Sequence, residues 1–445
     1  MKMALAVSTV FHIEHLKRVY RQWEDAEFLL FAAIESTGNK EMIVHLKRMG
    51  ARFRHVSEFL RDGGKADVMV SVFWQPAFLV MGPRTMHVRI MYGYAKDDWN
   101  YGDWNRNYDL ILAYGPYAEE RLRHLAPCIS VGHPRTPAPG QGNTKGSGRL
   151  QTNRRRPILL YCPTYGAQSS LPDVDRVLSG LAVRFDVAVK LHHLSQAEHY
   201  PCLSRLARES RIRVYDQRTD LFDLLPDCDL VISDHSGAIF DAMLLGKNIL
   251  LIDSEAMKGR IREEMHSDSS SLDIKVRRVL PHCEVADLVS AVGEALHHPV
   301  QYQSLLPYLY ANVGTDVPNG IRAAITDWFH PFPERNRQAE LYERLVRFME
   351  KDDRELLICG AGEFGQAVMQ LAKARGCGRI RFVDSDPDKL ARSVEGIPVL
   401  PPGGLDDLDK SGTKCLVATI GGAGFYAQRL KRAGFVPDED YFMAF

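Results

Sequence analysis

The chain lacks the cysteine patterns that mark secreted or zinc-binding proteins. Its eight cysteines are scattered singly, with no Cys-x-x-Cys pair and no histidines at the spacing of a zinc site. This distribution is typical of reduced core thiols and predicts no metal centre. We therefore expect a cytoplasmic protein.

The sequence also lacks net charge and long apolar runs. Basic and acidic side chains number 56 each, so no overall field recruits nucleic acid, and we expect no nucleic-acid partner. Runs such as ILLYCP and LILAY are far shorter than the roughly 20 residues that cross a bilayer. The N-terminal MKMALAVSTVFHIEHLK has too short an apolar part for a secretory signal and predicts a first strand. Membrane contact is expected to be peripheral at most, at the inner face.

What the 445 residues do contain is three successive stretches in which strand-like and helical segments alternate. This alternation predicts an α/β fold with parallel sheets covered by helices. The predicted organisation is a first lobe over 1–140, a linker over 141–156, a second lobe over 157–330, a linker helix over 331–353 and a small domain over 354–445.

The segment DLVISDHSGAIFDAMLLGKNILLID carries the richest functional pattern. A buried strand ends at Ser233-Asp234-His235-Ser236-Gly237, and the apolar spacing that follows predicts a helix capped by Ser236. Free backbone N–H groups at a helix start, with small residues around them, form an anion site at the carboxyl end of a parallel strand. Ser233, Asp234, Ser236 and Gly237 are therefore predicted to bind a donor's pyrophosphate. An ordinary capped helix is the alternative.

Two upstream strands also end in polar residues. Thr164 follows the run PILLYCP, and Lys190 and His192 end the run DVAVKLH. Polar groups past the carboxyl ends of neighbouring parallel strands converge on one crevice, so these residues are expected beside the anion site. Lys190 is predicted to neutralise phosphate charge and His192 to move a proton near neutral pH, although a histidine here is also common as a structural residue.

Four motifs in chain order resemble those of the CDP-glycerol glycerophosphotransferase family: VGHPRTP (131–137), ILLYCPTYG (158–166), VKLHHL (189–194) and SDHSGAIFD (233–241). The resemblance implies two Rossmann-like lobes in a GT-B-like arrangement and a role in teichoic acid or capsule synthesis. Carried over to this sequence, it implies donor contacts from Arg135, Asp234, Ser236 and Asp241 and a functional role for His192.

The sequence departs from the family pattern at several positions. Gly237 replaces a serine, His235 a tyrosine and His193 a proline. The family's Trp-His-Gly motif, whose histidine activates the acceptor, is absent, and Tyr92-Gly93 stands where its His-Gly would fall. The expected base is therefore missing.

Residues near this position offer substitutes for the missing base. His87, Asp97 and Asp98 are the candidates for proton transfer, and Lys96 falls near the place of a family lysine. A Tyr- and Trp-rich loop beside carboxylates is equally typical of a sugar-binding surface or of ordinary packing.

The third stretch opens with a glycine-rich turn between a predicted strand and an amphipathic helix. Gly360, Gly362 and Gly365 have dinucleotide-binding spacing, and Asp384 ends the next strand, where it could bind ribose hydroxyls. This stretch resembles the small Rossmann-like domains fused to sugar-modifying enzymes. NAD or another nucleotide is one interpretation, and a degenerate domain kept for packing or partner contact is the other.

Together these patterns predict a transferase that moves glycerophosphate or a related polyol phosphate from a CDP-linked donor to a hydroxyl acceptor, of which a lipid-linked glycan is one form. Two alternatives stay open. One is a UDP-sugar-dependent glycosyltransferase or sugar-nucleotide epimerase of the same scaffold. The other is a non-catalytic nucleotide-binding protein, which the missing histidine favours.

Overall fold

The computed structural model describes residues 1–32, 36–95, 100–136, 156–192, 195, 202–215, 219–265, 271–298, 302–330, 338–390, 393–419 and 422–443. These residues form three sheets with helices between the strands. The chain divides into two compact units, one made of residues 1–90, 106–111 and 322–445 and the other of residues 91–105 and 112–321.

The first sheet has the strand order β3-β2-β1-β4-β5-β6-β7. Its strands are β1 (Met3–Val7), β2 (Glu27–Leu30), β3 (Phe53–His55), β4 (Val68–Ser71), β5 (Met86–Ile90), β6 (Leu110–Ala113) and β7 (Cys128–Ser130). The accompanying helices are Val10–Tyr20, Thr37–Met49, Val56–Arg61 and Pro116–Leu122, with 3₁₀ turns at Pro76–Met81 and Asp103–Asn107. β1 pairs in parallel with β2 and β4 and is buried throughout, which explains its unbroken apolar run.

The second sheet has the order β10-β9-β8-β11-β12-β13. Its strands are β8 (Ile158–Cys162), β9 (Asp186–Lys190), β10 (Ile212–Tyr215), β11 (Leu230–Ser233), β12 (Asn248–Asp253) and β13 (His282–Glu284). The helices of this region are Leu171–Leu181, Cys202–Leu206, Leu221–Leu224, Ala238–Leu244, Lys258–Glu264, Leu272–Lys275, Leu288–His297, Leu306–Leu309 and Val317–Phe329. Short 3₁₀ turns lie at Gly166–Gln168, Leu225–Asp227, Val276–Arg278, Val285–Asp287 and Gln303–Leu305.

The third sheet has the order β16-β17-β15-β14-β18-β19. Its strands are β14 (Glu355–Cys359), β15 (Ile380–Val383), β16 (Ser393–Val394), β17 (Ile397–Leu400), β18 (Thr413–Val417) and β19 (Tyr441–Met443). The helix Ala339–Glu350 precedes it, and the helices Glu363–Ala374, Pro387–Leu390 and Ala423–Arg432 and a 3₁₀ turn at Pro402–Leu405 lie within it. The short pair β16–β17 is antiparallel, whereas β14, β15, β17, β18 and β19 pair in parallel.

The helix Glu363–Ala374 joins two parts of the core. Its apolar residues belong to the same buried cluster as Ile358 of β14 and as Phe59 and Phe78 from the helical layer of the first sheet. The helix lies against the helix Val56–Arg61 and the turn Pro76–Met81. The third sheet therefore shares a hydrophobic core with the first, within one compact unit.

The predicted α/β class with parallel, Rossmann-like sheets is confirmed, and the helix Ala339–Glu350 lies within the segment 331–353. In the part of the chain that is described, no helix combines the length and the apolarity needed to span a bilayer.

Candidate functional site

The carboxyl ends of three parallel strands of the second sheet meet at one edge. Ser233 of β11 pairs with Cys162 of β8, and Tyr161 of β8 pairs with Val189 of β9, so the segments that follow these strands start side by side. The Ser233 hydroxyl donates a hydrogen bond to the Cys162 carbonyl over 2.7 Å. The polar residues predicted to converge are therefore brought to this edge.

Asp234 ties the segments after β8 and β11 together. One of its carboxylate oxygens accepts hydrogen bonds from the backbone N–H groups of Thr164 and His235, both over 2.7 Å. The other accepts from the N–H and the hydroxyl of Ser170, over 2.9 and 2.8 Å. This carboxylate is buried and already accepts these hydrogen bonds, and a carboxylate does not attract a pyrophosphate. Asp234 is therefore better placed to hold the segments of an anion site together than to contact the anion itself.

The helix Ala238–Leu244 begins one residue later than the sequence predicted. Its N-cap residue is Gly237 rather than Ser236, and no side chain caps it directly. The Ser236 hydroxyl still accepts a hydrogen bond from the N–H of Ala238, over 3.4 Å. A Cβ added to Gly237 would lie 3.9 Å from the Cβ of Ala95, so the start of this helix faces the segment 91–95.

Lys190 and His192 lie where β9 ends. Lys190 is only 8% exposed, and its ammonium donates a hydrogen bond to the Leu191 carbonyl over 2.6 Å. The His192 ring stacks on Tyr165 with the ring centroids 4.6 Å apart. Tyr165 follows β8, so the stack joins two of the converging segments. His193 lies outside the described residues.

A buried ionic brace supports the segment after β11. His235 Nδ1 lies 2.8 Å from a carboxylate oxygen of Asp273, and both side chains are buried. Burial would raise the pKa of Asp273, but the hydrogen bond and charge of His235 and the charge of Arg277 lower it. Arg277 donates to the carbonyls of Asp234 and Asp273, over 3.0 and 2.9 Å. No local sequence pattern indicated Asp273 or Arg277, and His235 was noted only as a departure from the family pattern.

A second polar cluster surrounds the VGHPRTP segment. Arg135 forms an ion pair with Asp220, and its guanidinium carbon lies 3.8 Å from the centre of the Phe222 ring. His133 Nδ1 accepts a hydrogen bond from the Arg135 backbone N–H over 3.2 Å, and His133 Nε2 lies 3.7 Å from a carboxylate oxygen of Asp241. The sequence predicted Arg135 and Asp241 as donor ligands but did not single out His133.

The Asp241 carboxylate is 22% exposed, although the side chains of His133, Arg135 and Asp220 beside it are nearly inaccessible. Burial raises its pKa to about 7, the charge of Arg135 opposes this rise, and that of Asp220 adds to it. Tyr114 and Tyr310 are buried, and the pKa of each is raised by burial and by the charge of Asp241.

Tyr92, from the segment 91–95, completes the surroundings of Asp241. The pKa of its phenol is raised first by burial and then by the charges of Asp241 and Tyr165. Tyr92 therefore lies close enough to both Asp241 and Tyr165 for their charges to act on its phenol.

Of the residues predicted as substitute bases in the first lobe, His87 lies within the described structure. His87 lies in β5, 1% exposed, with its ring centroid 5.3 Å from that of Trp74 and 6.0 Å from that of Phe78. Burial lowers its pKa to about 3, and neither ring nitrogen forms a hydrogen bond within the described structure. A proton-transfer role does not fit this core position, and we do not propose it. Asp98, Asp97 and Lys96 lie outside the described residues.

The glycine-rich turn of the third sheet uses its glycines for its own packing. Gly360 has φ +114°, and a Cβ there would lie 2.8 Å from the Ala418 carbonyl oxygen, while a Cβ at Gly365 would overlap the Gly360 carbonyl oxygen. At Gly362 the nearest atom to such a Cβ is the Lys389 ammonium, 4.0 Å away. Of these three glycines, Gly362 is the one that the packing of the turn does not require.

Asp384 braces this turn from the end of β15. Its carboxylate accepts hydrogen bonds from the Ala361 and Asp386 N–H groups and the Lys389 ammonium, over 2.8, 2.9 and 3.1 Å. Burial would raise the pKa of Asp384, but these bonds lower it. The turn has the shape of a dinucleotide loop, and the binding of NAD or another nucleotide to it stays a prediction. Across the described residues, no group of three or more His, Cys, Asp and Glu side chains could hold a metal ion.

No known family profile matches the sequence, and no curated protein matches it. Solved structures do match. The wall teichoic acid polymerase TagF is 13% identical over 74% of this chain and 88% of its own, with a TM-score of 0.50. A putative UDP-N-acetylglucosamine 2-epimerase from Listeria monocytogenes is 13% identical over 75% of this chain and 98% of its own, also with a TM-score of 0.50. Likeness at this level of identity shows the fold alone: the chain has the GT-B-like α/β fold of these proteins, with two Rossmann-like lobes and a third Rossmann-like domain.

Proposed function

We propose that this protein is a transferase that uses a nucleotide-activated donor. The donor is CDP-linked, and a glycerophosphate or related polyol-phosphate group moves from it to a hydroxyl acceptor. The observation that carries the proposal is the convergence of motif segments. The segments after β8, β9 and β11 start at one sheet edge, and the charges of Asp241 and Tyr165 both act on the Tyr92 phenol. Because these are the segments that resemble the glycerophosphotransferase family, fold and motifs support the same class of reaction.

The donor's diphosphate is proposed to lie at the start of the helix Ala238–Leu244. The positive end of this helix, the Ser236 hydroxyl and the Lys190 ammonium are proposed to provide the hydrogen bonds and the charge that a diphosphate needs. Asp234 and the His235–Asp273 brace hold that segment in place. Pre-positioned groups of this kind stabilise the charge that spreads over a phosphoryl group during transfer.

In the proposed reaction, the acceptor oxygen attacks the phosphorus that bears the polyol. A new oxygen–phosphorus bond forms while the bond to the nucleotide phosphate breaks, and CMP leaves with the bonding electron pair. The acceptor loses a proton, which a group at the site must accept. His192, stacked on Tyr165, is proposed to contact the phosphate groups, and the acceptor is a hydroxyl compound such as a lipid-linked glycan.

A second candidate function is a UDP-sugar transferase or epimerase on the same scaffold. The observation in its favour is that the epimerase fold matches this chain as well as that of the teichoic acid polymerase does. The two candidates differ in the donor, because attack at an anomeric carbon would replace attack at phosphorus.

Thermal unfolding with CMP, CDP-glycerol, UDP-N-acetylglucosamine and NAD separates these candidates. A ligand at about 100 times its dissociation constant stabilises the folded state by roughly 2.7 kcal/mol. We expect the cytidine nucleotides to raise the melting temperature, and the double variant Ser236→Ala/His192→Ala to lose the rise.

The matched control is Ser290→Ala/His297→Ala, which changes two exposed side chains of the helix Leu288–His297. It should respond to cytidine nucleotides as the wild type does. Stabilisation by UDP-N-acetylglucosamine alone would favour the second candidate, and stabilisation of the Ser236→Ala/His192→Ala variant equal to the wild type would contradict the assigned site.

A further inference from the structure

We propose that Asp241 is the general base that takes the proton from the acceptor hydroxyl, and that His133 is its positioning residue. The inference rests on the proposed transferase function and names the group that replaces the missing first-lobe histidine. It draws on the geometry of the cluster around VGHPRTP.

The tautomer of His133 is set by its backbone contact. Its Nδ1 accepts a hydrogen bond from the Arg135 N–H, so the neutral ring carries its proton on Nε2. Nε2 faces the Asp241 carboxylate at 3.7 Å. This separation is too long for a hydrogen bond, but the dipole of an N–H at this distance favours the ionised form of the carboxylate.

The position of the His133 ring is over-determined. It stacks on Phe222 with the ring centroids 5.5 Å apart and lies 4.4 Å from Tyr114. The preceding residue, Gly132, has φ +96°, and a Cβ there would lie 2.5 Å from the Ala311 carbonyl oxygen. The imidazole therefore has little freedom to turn away from Asp241.

Asp241 itself is left available for substrate. Arg135, whose charge lowers the pKa of Asp241, forms its ion pair with Asp220. Among the described residues, the charged and titratable groups that interact with Asp241 are His133, Arg135, Asp220, Cys162, Tyr92, Tyr114 and Tyr310. A partly exposed carboxylate beside the buried Tyr114 and Tyr310 can accept a proton from a bound hydroxyl, and its pKa of about 7 suits a base at neutral pH.

In the proposed step, the acceptor O–H bond breaks and its proton moves to Asp241. The oxygen forms a bond to phosphorus as the bond to the nucleotide phosphate breaks, and the electron pair of that bond leaves with CMP. Asp241 then returns the proton to water.

The test measures CMP release by ³¹P NMR between pH 5 and pH 9, with CDP-glycerol as the donor and glycerol 3-phosphate as the acceptor probe. We expect the wild-type kcat to rise with pH through about 7, because only the ionised carboxylate accepts a proton. Asp241→Asn should lose kcat by roughly 10²- to 10⁴-fold without a comparable change in CMP affinity. Asp241→Glu should recover part of the loss.

His133→Leu provides the readout for positioning, because leucine has no N–H group. Removing the Nε2–H should move the midpoint of the pH profile of kcat upward, because the Asp241 carboxylate loses the nearby N–H dipole that favours its ionised form. The control is Asp186→Asn, a half-buried carboxylate at the opposite end of β9, which should keep the wild-type profile.

Three outcomes overturn the base assignment, and they differ from one another. A wild type that releases no CMP refutes the transferase proposal and the base with it. A wild type that turns over, with Asp241→Asn equally active, refutes the base alone. An infrared difference titration, wild type minus Asp241→Asn, that shows the carboxyl ionising near pH 4 refutes it without recourse to activity.

Discussion

Replacing Arg277 by methionine should destabilise the second sheet more than any surface substitution. The Arg277 side chain is fully buried and its Nε lies 2.9 Å from a carboxylate oxygen of Asp253. Its two terminal nitrogens donate to three backbone carbonyls, those of Asp273, Asp234 and Ile252. Methionine fills a similar volume but supplies no donor, so three carbonyls and one carboxylate lose a partner.

The magnitude follows from these contacts. Removing one partner of a buried ion pair costs about 3–5 kcal/mol. For a domain of 150–250 residues, 1 kcal/mol corresponds to roughly 2–4 °C, so the transition that reports this region should fall by roughly 10 °C. Differential scanning calorimetry of the full chain measures it, with CMP present and absent to identify the transition of the nucleotide-binding region.

Two further variants set the scale. Arg277→Lys should lose nearly as much, because an ammonium cannot reproduce the forked contacts of a guanidinium. Arg375→Met breaks an exposed pair with Glu350, whose side chains are 37% and 45% exposed, and should cost less than about 1 kcal/mol. A change below about 1 kcal/mol for Arg277→Met, in a protein that keeps its native circular dichroism, would refute the reasoning.

Three more predictions concern other parts of the chain. Gly365→Ala should destabilise the third domain strongly in urea unfolding, since its Cβ would overlap the Gly360 carbonyl oxygen, whereas Gly362→Ala should be nearly neutral; equal effects would contradict the packing account. His87→Leu should leave stability unchanged or raise it, because it removes two buried ring nitrogens that have no hydrogen-bond partner among the described residues, and a loss of several kcal/mol in the same assay would contradict this. Burial would raise the pKa of Asp352, but the Arg354 hydrogen bonds and the Lys414 and Arg354 charges lower it to about 2. The contribution of Asp352 to stability is therefore present above the unfolded pKa of about 4 and is lost as the pH falls toward 2. Asp352→Asn should make the urea midpoint less dependent on pH between pH 5 and pH 2.

The sequence predicted the sheet framework well because strands buried on both faces leave a direct trace. β8 and β11 are buried at every position and appear as unbroken apolar runs. Since parallel strands align their carboxyl ends, it also predicted that Thr164, Lys190 and Ser233 gather at one edge. These inferences need only local patterns and one general property of sheets.

Local patterns could not predict the contacts of Arg277 or the proposed base Asp241, because both depend on pairings between residues far apart in the sequence. Arg277 reaches the Asp234 carbonyl 43 positions away, and no local spacing announces that contact. His133 was not singled out from the sequence, and only the fold places Asp241 beside it. His87 is the opposite case: the sequence suggested a role in proton transfer, but nothing in its local pattern showed that Trp74 and Phe78 would enclose the ring.

The position of the helix Glu363–Ala374 has a consequence for any shortened version of the protein. Removing everything after residue 353 would strip the cover from Phe59 and Phe78 and leave an apolar patch on what remains. Such a fragment should aggregate. The C-terminal ninety or so residues thus cover part of the hydrophobic core of the first sheet. A ligand that displaced this helix would also disturb the packing of that sheet.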